Sequence, residues 1–189
     1  MFTPDFPIQT ERLLLRPFEP GDFDELLAVE SRAEVARFLY HEPRTPEETR
    51  EVLERRIRLT SLTDEGDTLS LAVVVRATGT MIGDCMLHWS SRQHQSGEVG
   101  FALHPDHHGR GYAAEAARAL VDYGFSEVGL HRIIGRLEAR NFASARVLEK
   151  LGMRREALLI ENEFVKGEWQ SEIVYAILER EWRALQFDM

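Results

Sequence analysis

A chain of 189 residues suits one domain, and 43% hydrophobic with 29% charged residues excludes a polymer that stays disordered. The formal net charge of −9 comes without any concentrated basic run, which excludes an ordinary nucleic-acid binder and leaves an acidic surface able to attract a cationic partner such as an amine. A single cysteine, Cys85, excludes an intramolecular disulfide; residues 1–16 lack the pattern of a signal peptide, and no apolar run nears the ~20 residues of a membrane span, so a cytoplasmic protein without a membrane partner is expected.

Residues 10–18 are apolar and extended in character and stop at Pro20-Gly21-Asp22, which predicts a strand ended by a turn. Asp22 and Glu25 have the spacing of an acidic capping box, and Leu26, Leu27, Val29, Val35 and Phe38 supply apolar positions for helical segments broken near Ser31. Thr45-Pro46-Glu47-Glu48 combines a cap, a proline at the first helical position and acids in the first turn, predicting a helix to about Leu62. Residues 68–75 and 81–89, joined through Ala77-Thr78-Gly79-Thr80, read as a hairpin; 90–97 reads as a polar loop and 98–103 as another strand. Ala113, Ala117, Leu120, Val121 and Gly124 recur at helical spacing, so a helix with a small-residue face is predicted from Tyr112 to about Glu127. A strand at 132–137, a helix capped by Asn141 and ended by Gly152, and closing strands at 154–160 and 170–178 complete a mixed α/β order in a single domain, 1–189.

The segment from Glu98 to Ala116 runs strand, loop, then glycines at the mouth of a helix. Gly109 and Gly111 can adopt positive φ and leave their amides uncovered, and the helix start adds N–H groups and partial positive charge, so a pyrophosphate fits. The spacing also satisfies G-x-G-x-x-A at Gly109, Gly111 and Ala114, with Glu138 24 residues further on, which mimics a dinucleotide fingerprint and gives an NAD(P)-linked oxidoreductase as an alternative. Against it, His104 to His108 intervene where a dinucleotide fold needs a tight turn.

His108, Gly109, Arg110, Gly111, Tyr112 and Ala113 resemble the acyl-CoA-binding motif Q/R-x-x-G-x-G/A of the GNAT N-acetyltransferase superfamily, with His108 standing where Gln or Arg is usual. The stretches TERLLLRP at 10–17, GYAAEA at 111–116 and NFASARVLEKLG at 141–152 are similar to the RimJ/RimL-like branch, the ribosomal-protein N-terminal acetyltransferase type. The resemblance implies a GNAT fold: a twisted, mostly antiparallel mixed sheet flanked by helices and splayed between its fourth and fifth strands, 98–103 and 132–137, with acetyl-CoA in the gap. It further implies that backbone groups of Phe101, Ala102 and Leu103 line the pantetheine arm, with a strand bulge there presenting an N–H to the thioester oxygen.

Acyl transfer to an amine needs a neutral nucleophile, an oxyanion donor and a proton for the departing thiolate. The same resemblance gives Asn141 to the pantetheine chain and Ser144 to the sulfur, against their ordinary reading as an N-cap and a backbone-bonded serine. Leu148 occupies the position where many relatives carry a tyrosine acid. Glu98 is the first candidate base and Glu138 the second, while Glu115 is assigned to the helix dipole. His104, His107 and His108 lack companion ligands at metal spacing, and Cys85 reads as a small buried residue. The expectation is therefore an acetyl-CoA-dependent N-acetyltransferase without a metal. Its expected acceptor is a peptide N-terminal or small-molecule amine, the α-amine being favoured because its pKa of ~7.7–8.0 leaves it partly neutral where a lysine near ~10.4 is protonated. A non-catalytic acyl-CoA-binding module is the other alternative, and a homodimer is left open.

Overall fold

Leu69, Leu71 and Val73 point to one side of their strand and Ser70, Ala72 and Val74 to the other, and both sets are buried, so the strand must be covered on both faces. The structure, a computed structural model, describes residues 1–187. Its strands are β1 (Ile8–Gln9), β2 (Leu13–Arg16), β3 (Thr68–Val75), β4 (Met81–Ser91), β5 (Ser96–Leu103), β6 (Arg132–Glu138), β7 (Arg154–Val165) and β8 (Glu168–Leu178). They form one sheet in chain order, except that β8 lies between β6 and β7. Neighbours are antiparallel apart from β5 and β6, whose parallel pairing requires a crossover, supplied by α4 (Tyr112–Ser126). This is the expected mixed sheet flanked by helices.

The helices α1 (Phe23–Glu30), α2 (Ala33–Ala36) and α3 (Pro46–Arg56) precede β3, α5 (Phe142–Lys150) follows β6, and α6 (Glu179–Phe187) ends the described chain. The larger core joins Leu69, Leu71 and Val73 to Leu120 and Val121 of α4, Leu148 of α5 and Trp182 of α6. The second joins Ala72 and Val74 to Leu26 of α1 and Val52 and Leu53 of α3, on the opposite sheet face. Gly124 of α4 lets the helix settle on the sheet, since a Cβ there would stand 2.9 Å from Ile133 Cδ1.

The break at Ser31, the Thr45 cap, β3 and the start of α4 fall where the sequence puts them. Other limits shift for local reasons. The first strand shrinks from 10–18 to Leu13–Arg16 because the Thr10 hydroxyl bonds Leu13 and Glu115 and turns the chain, so that β1 doubles back on β2. Asp22 does not form a box with Glu25; its carboxylate accepts from Glu19 N at 2.8 Å and grips Arg16 at 2.6 and 2.8 Å, which moves the box one 3₁₀ turn upstream. Helix α3 ends at Arg56 rather than Leu62, because Leu59 O accepts from Ser70 N and Leu62 pairs with Phe2. The polar loop at 90–97 narrows to 92–95, with Gln95 at φ 46° closing a tight turn. The strand expected at 154–160 runs to Val165, since Lys166 and Gly167, both at positive φ, make a two-residue hairpin turn. Helix α6 was not expected; Trp182 anchors it, buried against Phe125 with its Nε1 donating to Asp122 at 3.0 Å.

Leu120 is fully buried on the face of α4 that seats the helix on the sheet. Leu120→Ala is expected to lower unfolding free energy by about 2–5 kcal/mol, read from urea denaturation at a single pH.

Candidate functional site

The parallel pairing of β5 and β6 lasts three residues: Ser96 with Arg132, Gly97 with Ile133 and Glu98 with Ile134. Beyond Glu98, β5 keeps β4 and β6 keeps β8, so the sheet opens between them. Gln95 O accepts from His131 and Arg132 N, and His104 N donates to Ile82 O. By alternation, Val99, Phe101 and Leu103 therefore turn their N–H and C=O groups toward the departed β6. The bulge expected at 101–103 is absent: β4 and β5 stay in register from Gly83–Leu103 to Trp89–Gly97, and the irregularity lies between Trp89 and Ser91. Backbone donors are freed here because a neighbour leaves, with no extra residue inserted.

At the end of β5, Pro105–His107 makes a 3₁₀ turn and His108 Nε2 donates to Leu103 O at 2.9 Å. Gly109 and Gly111 follow at φ 74° and 82°, and Gly111 is the N-cap of α4. A Cβ at Gly109 would meet nothing within 4 Å, so the loop is open on that side. Glu115 N bonds Gly111 O, which leaves the amides of Tyr112, Ala113 and Ala114 facing out of the first turn, as every helix start requires. The concave run from His108 to Ala113 thus collects uncovered amides and the positive end of a helix, a combination suited to a phosphate anion.

Arg12 braces this loop from β2's approach: its Nη1 donates to Arg110 O at 2.9 Å, its guanidinium lies 4.8 Å from the Tyr112 ring centre, and its Nη2 stands 2.7 Å from Glu115. Glu115 also accepts from the Thr10 hydroxyl at 2.6 Å and Arg12 N at 2.8 Å. Its sequence assignment to the helix dipole undercounts it, because it ties α4 to the N-terminal segment. Burial alone would raise its carboxyl, but the bonds from Thr10 and Arg12 outweigh that and hold it below the ordinary range. The loop histidines are part of the fold of the turn: His104 Nδ1 accepts from Asp106 N at 3.3 Å, and His107 packs against Tyr112. Cys85 faces the core, where burial pushes its thiol up, and His88 bonds Thr68 at 3.0 Å on the other face.

A cavity of about 420 Å³ occupies the wedge between β5 and β6 and extends under α1 and α3. Glu98, Phe101, Ala102, Glu138, Asn141 and Ser144 all line it, so six of the residues proposed from sequence meet in one place. His108 to Ala113 and Leu103 lie outside its lining, at the α4 end of the same opening. Asn141 caps α5, its Oδ1 accepting from Ser144 N at 3.1 Å, and Leu148 on the next turn is buried in the cavity wall. Glu98 is held by Arg136 at 2.9 and 3.0 Å, and Glu138 by Arg140 Nε at 2.8 Å and Arg140 N at 3.0 Å.

Sequence reasoning missed the rest of the wall. Glu30 and Asp84 are buried beside Arg56, at 3.0 and 3.3 Å, and Arg44 adds a second bond to Glu30 at 2.9 Å. Burial drives the Asp84 carboxyl up, Arg56 opposes it and Glu30 adds to it. On the other side Glu163 accepts the Tyr40 hydroxyl at 2.7 Å, and Glu172 lies near Arg136 at 3.9 Å. The Tyr40 hydroxyl is pushed up to about 12 by desolvation first and then by Glu163. Lys166 at the β7–β8 turn donates to Ala36 O at 2.7 Å, so hairpin and helical layer touch twice across the cavity mouth. A signal existed in the strands: Thr68 and Ser70 in β3, and Asp84 and His88 in β4, repeat at period two inside apolar runs and mark one face as a polar wall.

A mixed sheet wedged open beside a glycine-led helix start, with polar groups at the base of the wedge, is an arrangement able to take a long ligand with an anionic end. The acetyltransferase (GNAT) domain model matches residues 12–154, and the chain belongs to that family, whose members use acetyl-CoA. It is 34% identical over 176 residues to the uncharacterized N-acetyltransferase YnaD of Bacillus subtilis, covering 93% of this chain and 98% of that protein. A GNAT acetyltransferase structure from Bacillus anthracis superposes with a TM-score of 0.82 at 33% identity, covering 95% of this chain and 99% of the other. The spermidine N(1)-acetyltransferase of Escherichia coli is 26% identical over 90% of this chain and 88% of its own. The chain is an N-acetyltransferase, so the oxidoreductase and non-catalytic alternatives fall away; among the described residues no helix is long and apolar enough to cross a membrane.

Because the Glu115 carboxyl is depressed in the folded state, its contribution to stability is complete above the unfolded value of 4.5 and disappears as pH falls through the lower folded value. Glu115→Gln is expected to lower the melting temperature near neutrality and to lose less than the parent between pH ~5 and ~3, measured by thermal denaturation across that series.

Proposed function

We propose that this N-acetyltransferase acetylates a small, positively charged primary amine. The observation that carries the reading is the acidic cavity at the base of the β5–β6 wedge, where the carboxylates of Glu30, Asp84, Glu98, Glu138, Glu163 and Glu172 outnumber the guanidiniums of Arg55, Arg56 and Arg136. A cationic acceptor is drawn into such a field, and a volume of about 420 Å³ suits a small molecule. Likeness to the spermidine acetyltransferase supports a small amine. The RimJ/RimL-like motifs support instead a peptide α-amine, which is the competing acceptor in the experiment below.

On this reading the amides of Gly109 to Ala113 hold the pyrophosphate of acetyl-CoA, and the backbone N–H and C=O of Phe101 and the N–H of Leu103, whose carbonyl is taken by His108, hold the pantetheine arm and thioester with Ala102 between them. Asn141, whose Oδ1 is committed to capping, offers its amide N–H₂ to the pantetheine. Ser144 donates to the sulfur as the C–S bond breaks. Its hydroxyl can suffice where Leu148 replaces the usual tyrosine, because a thiolate with a pKa near ~8.5 leaves readily. The amine nitrogen attacks the thioester carbon directly, with no acyl-enzyme.

The experiment compares acetyl-CoA turnover with spermidine, with a peptide bearing a free N-terminus, and with its N-acetylated, lysine-containing counterpart. Spermidine is expected to give the largest kcat/KM; preference for the free N-terminus would move the acceptor to peptides. Ser144→Ala is expected to keep the rise in melting temperature that acetyl-CoA produces and to lower kcat by ~10². Gly111→Val, at a φ of 82° and with its Cβ 3.3 Å from Arg12 Nη2, is expected to lose that rise altogether.

A further inference from the structure

The carboxylates that line the cavity differ in how they are occupied. Glu98 is pinned by Arg136 and Glu138 by Arg140, Glu30 carries Arg44 and Arg56, and Glu163 holds the Tyr40 hydroxyl, each at 2.7–3.0 Å. Asp84 is sealed against Arg56. Glu172 is different: its nearest cation is Arg136 Nη1 at 3.9 Å, and among the described residues no donor bonds its carboxylate. Its backbone pairs with Glu138 at the end of β6, and Ser171 O, one residue earlier, accepts from Ala139 N at 2.8 Å. That places Glu172 beside the strand end from which Asn141 and Ser144 start α5.

From this geometry we infer that Glu172 is a catalytic residue, the proton acceptor for the incoming amine, and that Glu98 serves to fix Arg136. The inference rests on the amine-acetyltransferase reading above. The ammonium R–NH₃⁺ gives one proton to the Glu172 carboxylate, producing R–NH₂ and a neutral carboxylic acid. The nitrogen lone pair then forms the C–N bond, the C–S bond breaks, and the second nitrogen proton goes to the CoA thiolate, leaving amide and CoA thiol. Glu172 returns its proton to water.

The surroundings suit that task. Arg136 and, directly opposite in register, Glu138 from β6, Glu98 from β5, Glu163 from β7 and Tyr40 from the segment after α2 are the ionisable groups around Glu172, with Glu138 itself held by Arg140. Burial raises the Glu172 carboxyl first, Arg136 works against it, and Glu163 and Glu98 add to the rise. A carboxylate lifted in this way is a stronger base than an ordinary glutamate and more able to deprotonate an amine as basic as a lysine. With such a base an acceptor need not arrive already neutral, which was the reason for favouring the α-amine.

The test is the pH dependence of kcat/KM with spermidine and with the free-N-terminus peptide, for the parent, Glu172→Gln and Glu98→Gln. Because the active form of Glu172 is the carboxylate, parental kcat/KM should fall as pH drops through its raised pKa. Glu172→Gln is expected to lose ~10² in kcat/KM near neutrality, to lack the limb set by Glu172, and to rise instead through the amine's own titration, at higher pH for spermidine than for the free N-terminus, recovering toward the parent as neutral amine accumulates. Glu98→Gln is expected to keep the limb. Stabilisation by acetyl-CoA, unchanged in Glu172→Gln, reports that the variant is folded. A limb retained in Glu172→Gln at the parent's position and the same for both amines, or lost in Glu98→Gln instead, would overturn the assignment while leaving the acceptor reading intact. Failure of the parent to acetylate either amine would overturn both.

Discussion

The departure of β6 from β5 after Glu98 is the constraint on which the site depends. A parallel pair can be held together only by hydrogen bonds along its length or by side chains filling the space between the strands, and here bonding stops after three residues. The wedge that results has a different chemistry at each depth. Its mouth exposes main-chain donors of β5, its α4 end gathers the amides of a helix start, and its base is walled by carboxylates from β5, β6, β7 and β8. A long ligand with one anionic end would find the amides of α4, the donors of β5 and the carboxylates of the base in succession along the wedge.

Two cores keep the wedge open. Strand β3 and the first half of β4 are buried on both faces, with α4, α5 and α6 on one and α1 and α3 on the other, while β5 and β6 beside the wedge bury at most every second residue. Close contacts fix these layers: Leu148 of α5 would meet a Cβ at Gly135 at 2.7 Å, so α5 can lie against β6 only where that strand has no side chain. The same leucine occupies the position of the missing tyrosine, and the role it fills there is packing. Loss of an acid at that position is thus coupled to how tightly the first turn of α5, with Asn141 and Ser144, is pressed into the wedge.

What could be read from the sequence was whatever local chemistry dictates. The Thr45 cap, the β-branched apolar run of β3 and the glycines before α4 are each decided within a few residues, and each lies where expected. The limits that moved were decided by distant partners: Leu62 leaves helical geometry to pair with Phe2, and Thr10 leaves the strand to bond Glu115. The cavity wall was the least legible part. Glu30, Asp84, Tyr40 and Glu172 come from four separate segments, and nothing near any one of them in the chain announces that a wedge will bring them together. Glu98 and Glu138 were nameable because they sit next to recognisable motifs. Their arginine partners follow from the fold: Arg136 reaches Glu98 across two parallel strands, and Arg140 folds back on Glu138 over a turn.

The two contacts between the β7–β8 hairpin and the segment after α2, Tyr40 to Glu163 and Lys166 to the carbonyls of Ala36 and Arg37, join opposite banks of the opened sheet. They act as a tie across a gap that a bound cofactor would fill as a wedge. Parting these contacts would expose a tyrosine hydroxyl and an ammonium that both then need water. The hairpin and the helical segment, far apart in the chain, therefore resist moving separately, because any hinge between them must first resolvate both groups.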